Sequence, residues 1–149
     1  MILIDTVEIL PALFREVRIP PAVYHELAAE GASEKVRKWM ENFPDWLKVT
    51  AARTIDEAIK LGKGETEAIS LAVEFSADYV LLDDKAARLA AKKRNLKVIG
   101  TLGILKLADK NKLIDFEMTV GKLQKTNFRV SRRMLEELLK RHRQENFSN

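Results

Sequence analysis

The chain has 149 residues, 46% hydrophobic and 32% charged, a composition that suits a soluble globular domain and excludes a disordered one. No apolar run approaches the roughly 18 to 20 residues that a membrane span needs, and the absence of cysteine excludes disulfides and thiolate metal sites. Net charge is +4 but unevenly spread: from Lys122 to Arg143 eight Lys or Arg face two acids, Glu136 and Glu137. Such a basic end suits a grip on a polyanion, the plainer alternative being a solvated helix face. The opening residues MILID lack a basic stretch and meet acid at Asp5, so no secretory signal is expected and the expected location is cytoplasmic.

In chain order, Met1 to Ile4 is a short apolar run with the pattern of a buried strand. Asp5 or Thr6 then caps a helix reaching about Arg15, with Ile9, Leu10, Leu13 and Phe14 on one face and Pro11 in its first turns. Val17 to Ile19 reads as a brief strand closed by Pro20-Pro21, and Pro21 opens a helix that stops before Gly31. Ser33 to Asn42 has helical spacing, Phe43-Pro44-Asp45 breaks it, and Trp46 to Val49 alternates like a strand. Ile55 to Leu61 is expected as a short helix, Lys63-Gly64 as a turn, and Glu65 to Phe75 as a strongly patterned helix. Tyr79 to Leu82 is an all-apolar run of the buried parallel kind, ending at Asp83-Asp84. A helix over Ala86 to Arg94, Asn95 as a left-handed C-cap, and a strand over Leu96 to Ile99 follow. Gly100 to Gly103 then turns into a helix over Ile104 to Asp109, and the basic tail holds helices around Phe116 to Lys125 and from Ser131 to about Arg143. Strands alternating with helices of about ten residues indicate one α/β domain over residues 1–149 with a mostly parallel sheet.

The chemistry concentrates in two acidic clusters, Glu65/Glu67 and Asp83/Asp84. In an open parallel sheet ligand sites form at the C-terminal ends of strands, which is where Asp83 and Asp84 stand. Glu65 and Glu67 occupy the first turn of the preceding helix, and side chains two apart on a helix diverge, so one of them points inward. Glu26 and Asp5 could add a third and a fourth carboxylate. Grouped carboxylates repel one another unless a cation neutralises them, and oxygen-only donors select Mg²⁺ or Mn²⁺. Each acid also has a structural alternative: Glu65 and Glu67 favour a helix N-terminus, Asp83 or Asp84 caps the next helix, Glu26 is solvated, and Asp5 is a cap. His25 and His142 are expected at the surface, far from any nucleophile. The Gly100-Thr-Leu-Gly103 turn has too few glycines for a dinucleotide fingerprint and no P-loop lysine, although its amides could meet a phosphate.

Taken together, IPPAVYHEL, GETEAISLA, LLDDKAARLAAKKRNLKVIGTLGIL and the tail NFRVSRRMLEELLK resemble the PIN-domain family, in its VapC-like branch of archaea and bacteria. The resemblance runs from about Ile9 onward and implies a three-layer α/β/α fold that cleaves single-stranded RNA with Mg²⁺ or Mn²⁺. It also implies a homodimer and, in a toxin–antitoxin pair, a small antitoxin partner. The family's second acid falls on Glu26, its helix acid on Glu67 or Glu65, and its last acid on Asp83 or Asp84. The family opens with a strand ending in a metal-binding Asp, and MILIDT looks like that strand, with Asp5 as the acid. IDTVEILPALF also aligns without gaps to the segment after the first helix; on that preferred alignment the first strand and its Asp are missing.

Two readings follow, a metal-dependent ribonuclease with Glu26, Glu67 or Glu65, Asp83, Asp84 and Asp5 as candidate ligands, and a non-catalytic PIN-like module that binds nucleic acid or protein. A small-molecule phosphohydrolase is a third, for which no phosphate-gripping loop is found.

Overall fold

The computed structural model describes residues 1–147. Its first element is a 3₁₀ turn, Ile2–Ile4, where the apolar run predicts a strand. The Met1 carbonyl accepts bonds from the Ile4 and Thr6 amides at 3.2 Å and from the Thr6 hydroxyl at 3.4 Å, so the chain doubles back instead of extending. Asp5 completes the reversal with φ 55°, the left-handed conformation that Asp tolerates better than most residues. Ile4 still reaches the core, at 3% exposure. A run of four apolar residues carries burial but too little periodicity to fix backbone shape.

Helix α1 (Ile9–Leu13) has Glu8 at its N-cap position with no side-chain cap bond, so neither Asp5 nor Thr6 caps it. Strand β1 (Val17–Ile19) leads through extended Pro20 into α2 (Pro21–Ala28), where Pro21 occupies the first helical position and its missing N–H costs nothing. In α3 (Glu34–Glu41) the Ser33 hydroxyl accepts the Val36 amide at 3.3 Å. Trp39 and Tyr24 each meet Phe43 edge-on, at 5.9 and 5.3 Å, which seals α3 against α2. Strand β2 (Leu47–Val49) pairs in parallel with β1, Val17 opposite Leu47 and Ile19 opposite Val49.

The short helix expected over Ile55 to Leu61 does not form. Asp56 accepts the Ala58 amide at 2.9 Å while its own amide donates to Ser70 Oγ at 3.0 Å, a local pattern that competes with helix. Arg94 grips the same carboxylate at 2.6 Å and holds it below the usual carboxylate range. Helix α4 (Lys63–Glu74) therefore starts two residues before the expected Glu65. Strand β3 (Val80–Leu81), α5 (Lys85–Lys92) and β4 (Val98–Ile99) make a βαβ unit, Val80 opposite Val98 and Leu81 opposite Ile99, with Asn95 at φ 59° ending the helical turn as expected. Then come α6 (Thr101–Lys110), starting directly after Gly100, α7 (Phe116–Leu123), and α8 (Arg132–Phe147), whose Ser131 cap accepts the Met134 amide.

The result is an α/β fold whose parallel strands fall into two pairs, with no ladder between the pairs among the described residues. Phe14, before β1, and Tyr79, before β3, bring their rings to 6.1 Å, and Arg18 of β1 lies 4.4 Å over the Phe75 ring at the end of α4. The two pairs are thus joined by side chains rather than by backbone hydrogen bonds.

Two apolar clusters underlie this arrangement. One gathers Ile69 and Ala72 of α4, Val80 and Leu82, and Ala87 and Ala91 of α5. The other joins Ile4 and Ile9 to α6, α7 and Leu135 of α8 around fully buried Phe116. His142 belongs here and not at the surface: it is 6% exposed, packs 4.8 Å from the Phe116 ring and lies 3.6 Å from Asp109. Its neighbour Arg143 clamps Glu117 with two 2.7 Å bonds, holding that carboxyl below its usual range and tying α8 to α7.

Phe116→Ala should cost about 3 to 5 kcal/mol of unfolding free energy, because a fully enclosed ring leaves a cavity its rigid neighbours cannot close. Urea unfolding followed by circular dichroism measures it.

Candidate functional site

Helix α2 crosses α4 closely enough that a Cβ on Gly64 would lie 2.7 Å from Glu26 Oε1. Glycine at this buried position leaves room for the Glu26 carboxylate. The crossing, together with the ends of β3 and the start of α5, bounds a cleft of about 380 Å³ whose walls include Glu26, Glu65, Asp83 and Asp84. The C-terminal end of a parallel strand is where such a site is expected.

Each acid reaches its place for a local reason. Asp83, just beyond β3, accepts the Thr101 amide at 2.8 Å on one oxygen and the Thr101 hydroxyl at 2.6 Å on the other. It thereby meets the first amide of α6 from a neighbouring segment. Asp84 caps α5, its Oδ1 accepting the Ala87 amide at 2.9 Å. Glu65 turns back on its own helix and accepts the Gly62 amide at 3.1 Å. Glu26 is exposed on α2, and its carboxylate has no hydrogen-bond or ion-pair partner among the described residues.

Glu67 and Asp5 lie elsewhere. Glu67, with 14% of its side chain exposed, accepts the Ala22 amide at 2.9 Å, so α4 caps α2 through it, and Lys63 stands 3.9 Å from its other oxygen. It is not among the residues that line the cleft, whereas Glu65 is. Asp5 is 75% exposed and bonded to Lys35 at 2.6 Å. The structural alternatives drawn from the sequence therefore hold for Glu65 and Asp84 as helix caps. Glu67 caps a helix it does not belong to, which spacing along the chain does not reveal. The Gly100-Thr-Leu-Gly103 turn, expected to offer amides to a phosphate, gives its Thr101 amide to Asp83 instead, and Gly64, expected in a turn, lies in the first turn of α4.

A divalent ion needs hard oxygen donors, which the four cleft carboxylates are. The donor type fits. The arrangement is looser: among the described residues no three Asp, Glu or His side chains already converge as a metal site. One oxygen on each of Glu65 and Asp84 and both on Glu26 are not engaged in the helix-terminus bonds.

Stability separates the two kinds of acid. Glu67→Ala should lose about 1 to 2 kcal/mol, since the Ala22 amide is left without its acceptor. Glu26→Ala should stay within about 0.5 kcal/mol of wild type, as expected of an exposed residue with no contact to lose. Denaturant midpoints of the two variants, measured side by side, check the contrast.

No curated protein and no solved structure matches the chain. The family model of the PIN domain matches it over residues 1–144, nearly its whole length, and the chain belongs to the PIN-domain family.

Proposed function

We propose that the protein is a VapC-like, Mg²⁺- or Mn²⁺-dependent endoribonuclease acting on single-stranded RNA, the toxin of a toxin–antitoxin pair, working as a homodimer in the cytoplasm. The observation that supports this reading most directly is the cleft that gathers Glu26, Glu65, Asp83 and Asp84 at the end of β3, in a chain of the PIN family. In it these four would hold the cation, with Thr101 fixing Asp83 in orientation. A bound divalent ion supplies activation of water and stabilisation of charge developing on a phosphate. The protein's own part is to hold three of the carboxylates at helix N-termini and to leave Glu26 free to turn toward the ligand.

A second reading has a specific observation behind it. Because three of the four cleft acids already serve helix termini and no three converge, a PIN-like module that binds nucleic acid or protein without cutting accounts for the same cleft.

Cleavage of a labelled single-stranded RNA in Mn²⁺ decides between them. Asp83→Asn/Asp84→Asn is a suitable variant because Asn is as good an N-cap as Asp and still offers Thr101 an acceptor. Loss of several kcal/mol of transition-state stabilisation, a rate at least about 100-fold lower, is expected. Cleavage undiminished in the double variant would sink the role given to the two aspartates, and no cleavage by wild type at any Mn²⁺ concentration would favour the binding module.

A further inference from the structure

The reading above places a polyanion at an acidic cleft, which raises the question of what holds its phosphates; this inference rests on that reading. The basic tail is the obvious candidate by charge. In the folded protein, however, Arg132 and Arg133 pair with Glu136 and Glu137 one turn on, and Arg143 is committed to Glu117. No residue of α8 lines the cleft.

Five tail cations, Lys122, Lys125, Arg129, Lys140 and Arg141, stay without an ion pair among the described residues, as many as in a different segment that stands at the cleft. Residues 85–97 contain six basic side chains and no acid. Of these Arg94 alone is paired, with Asp56; Lys85, Arg88, Lys92, Lys93 and Lys97 have no ion-pair partner among the described residues. Ala87 and Ala91 are fully buried, so the helical period turns Lys85, Lys92 and Lys93 toward the outer face of α5, around exposed Leu89, while Arg88 is half-buried at the edge of that face. The stripe starts at the cleft itself. Asp84 caps α5 and Ala87 lines the cleft. A Cβ on Gly100 would meet Asp83 Oδ1 at 3.1 Å and Arg88 Nη2 at 3.4 Å, so the first guanidinium of the stripe stands next to the carboxylate.

We propose that the outer face of α5, through Lys85, Lys92 and Lys93 with Arg88 at its cleft-side edge, is the phosphate-binding track that leads a single-stranded RNA into the cleft. Unpaired surface cations on a straight helix suit a backbone grip that is blind to base sequence. Each phosphate they neutralise releases condensed counterions, so the contribution is salt-dependent.

The test is binding of a fluorescein-labelled, mixed-sequence single-stranded RNA, followed by anisotropy in EDTA so that no cleavage intervenes. Lys85→Gln/Lys92→Gln/Lys93→Gln leaves Arg88 beside Asp83 and keeps good helix formers on an exposed face. Binding should weaken at least about 10-fold near 50 mM salt, and the slope of log affinity against log salt should become shallower by about 2, from three lost contacts at about 0.7 each. The Lys→Arg version of the same triple variant should bind like wild type. Arg129→Gln/Lys140→Gln/Arg141→Gln in the tail should change affinity less than about threefold. Wild-type affinity in the α5 Gln variant, an equal loss in the tail variant, or no RNA binding by wild type in EDTA would each overturn the proposal. RNA held by α5 without Mn²⁺-dependent cleavage would leave it standing and remove the nuclease; cleavage with binding indifferent to α5 would do the reverse.

Discussion

Orphan amides at helix N-termini organise this molecule. A helix leaves its first N–H groups without internal partners, and four helices of this chain meet that need with the acids that stand out in its sequence. Glu65 serves α4, Glu67 serves α2, Asp84 serves α5 and Asp83 serves α6. Two of these bonds stay within a turn, but Glu67 and Asp83 reach across to another element. They therefore lock α4 onto α2 and the end of β3 onto the start of α6. The positions of the cleft walls follow from those two long-range bonds.

The same bonds answer an electrostatic question. Carboxylates that line one cleft repel one another, and a metal ion is the obvious remedy. Here part of the offset is built into the backbone. The positive end of a helix favours a nearby anion by about 0.3 to 1 kcal/mol, and a capping bond contributes about 1 kcal/mol more. The acids can thus sit together as structural elements of the folded chain without a cation. Because a carboxylate has two oxygens and a cap uses one, service at a helix end does not exclude service to a ligand. Asp83, with Thr101 on both oxygens, is the most fixed of the set, and Glu26, with neither oxygen engaged, is the least.

How far the sequence shows all this depends on the range of the interaction involved. Features set within a turn or two were legible: Pro21 opening α2, Ser33 and Ser131 as caps, Asn95 in the left-handed conformation, and a strand before Asp83, although Tyr79 and Leu81 of that run are exposed where full burial was expected. Ile2–Ile4 was not, because the same buried isoleucine serves a strand or a turn and the hydrogen bonds to the Met1 carbonyl decide the matter. Residues 55–61 look helical by spacing, yet Ser70 and Arg94, well removed in sequence, hold Asp56 in a turn. His142 reads as one more member of a basic tail until Phe116 is seen packed against it, the rings tilted by 45°. At the site, the identity of the acids was readable but their division of labour was not, since Ala22 and Glu67 are 45 residues apart.

Charge shows the same limit from the other side. The tail has the greater number of Lys and Arg, and on composition it is the natural place for a polyanion. Folding changes what those charges are worth. Glutamates one turn along α8 and on α7 compensate three of the tail's arginines, Arg132, Arg133 and Arg143. Lys85, Lys92 and Lys93 of α5 have no ion-pair partner among the described residues, and their helix starts at the cleft, so their charge acts close to it. Net charge along the sequence therefore ranks the two segments in one order, and uncompensated charge at the cleft ranks them in the other. For a ligand whose backbone carries one charge per nucleotide, it is the second ranking that sets where it lies.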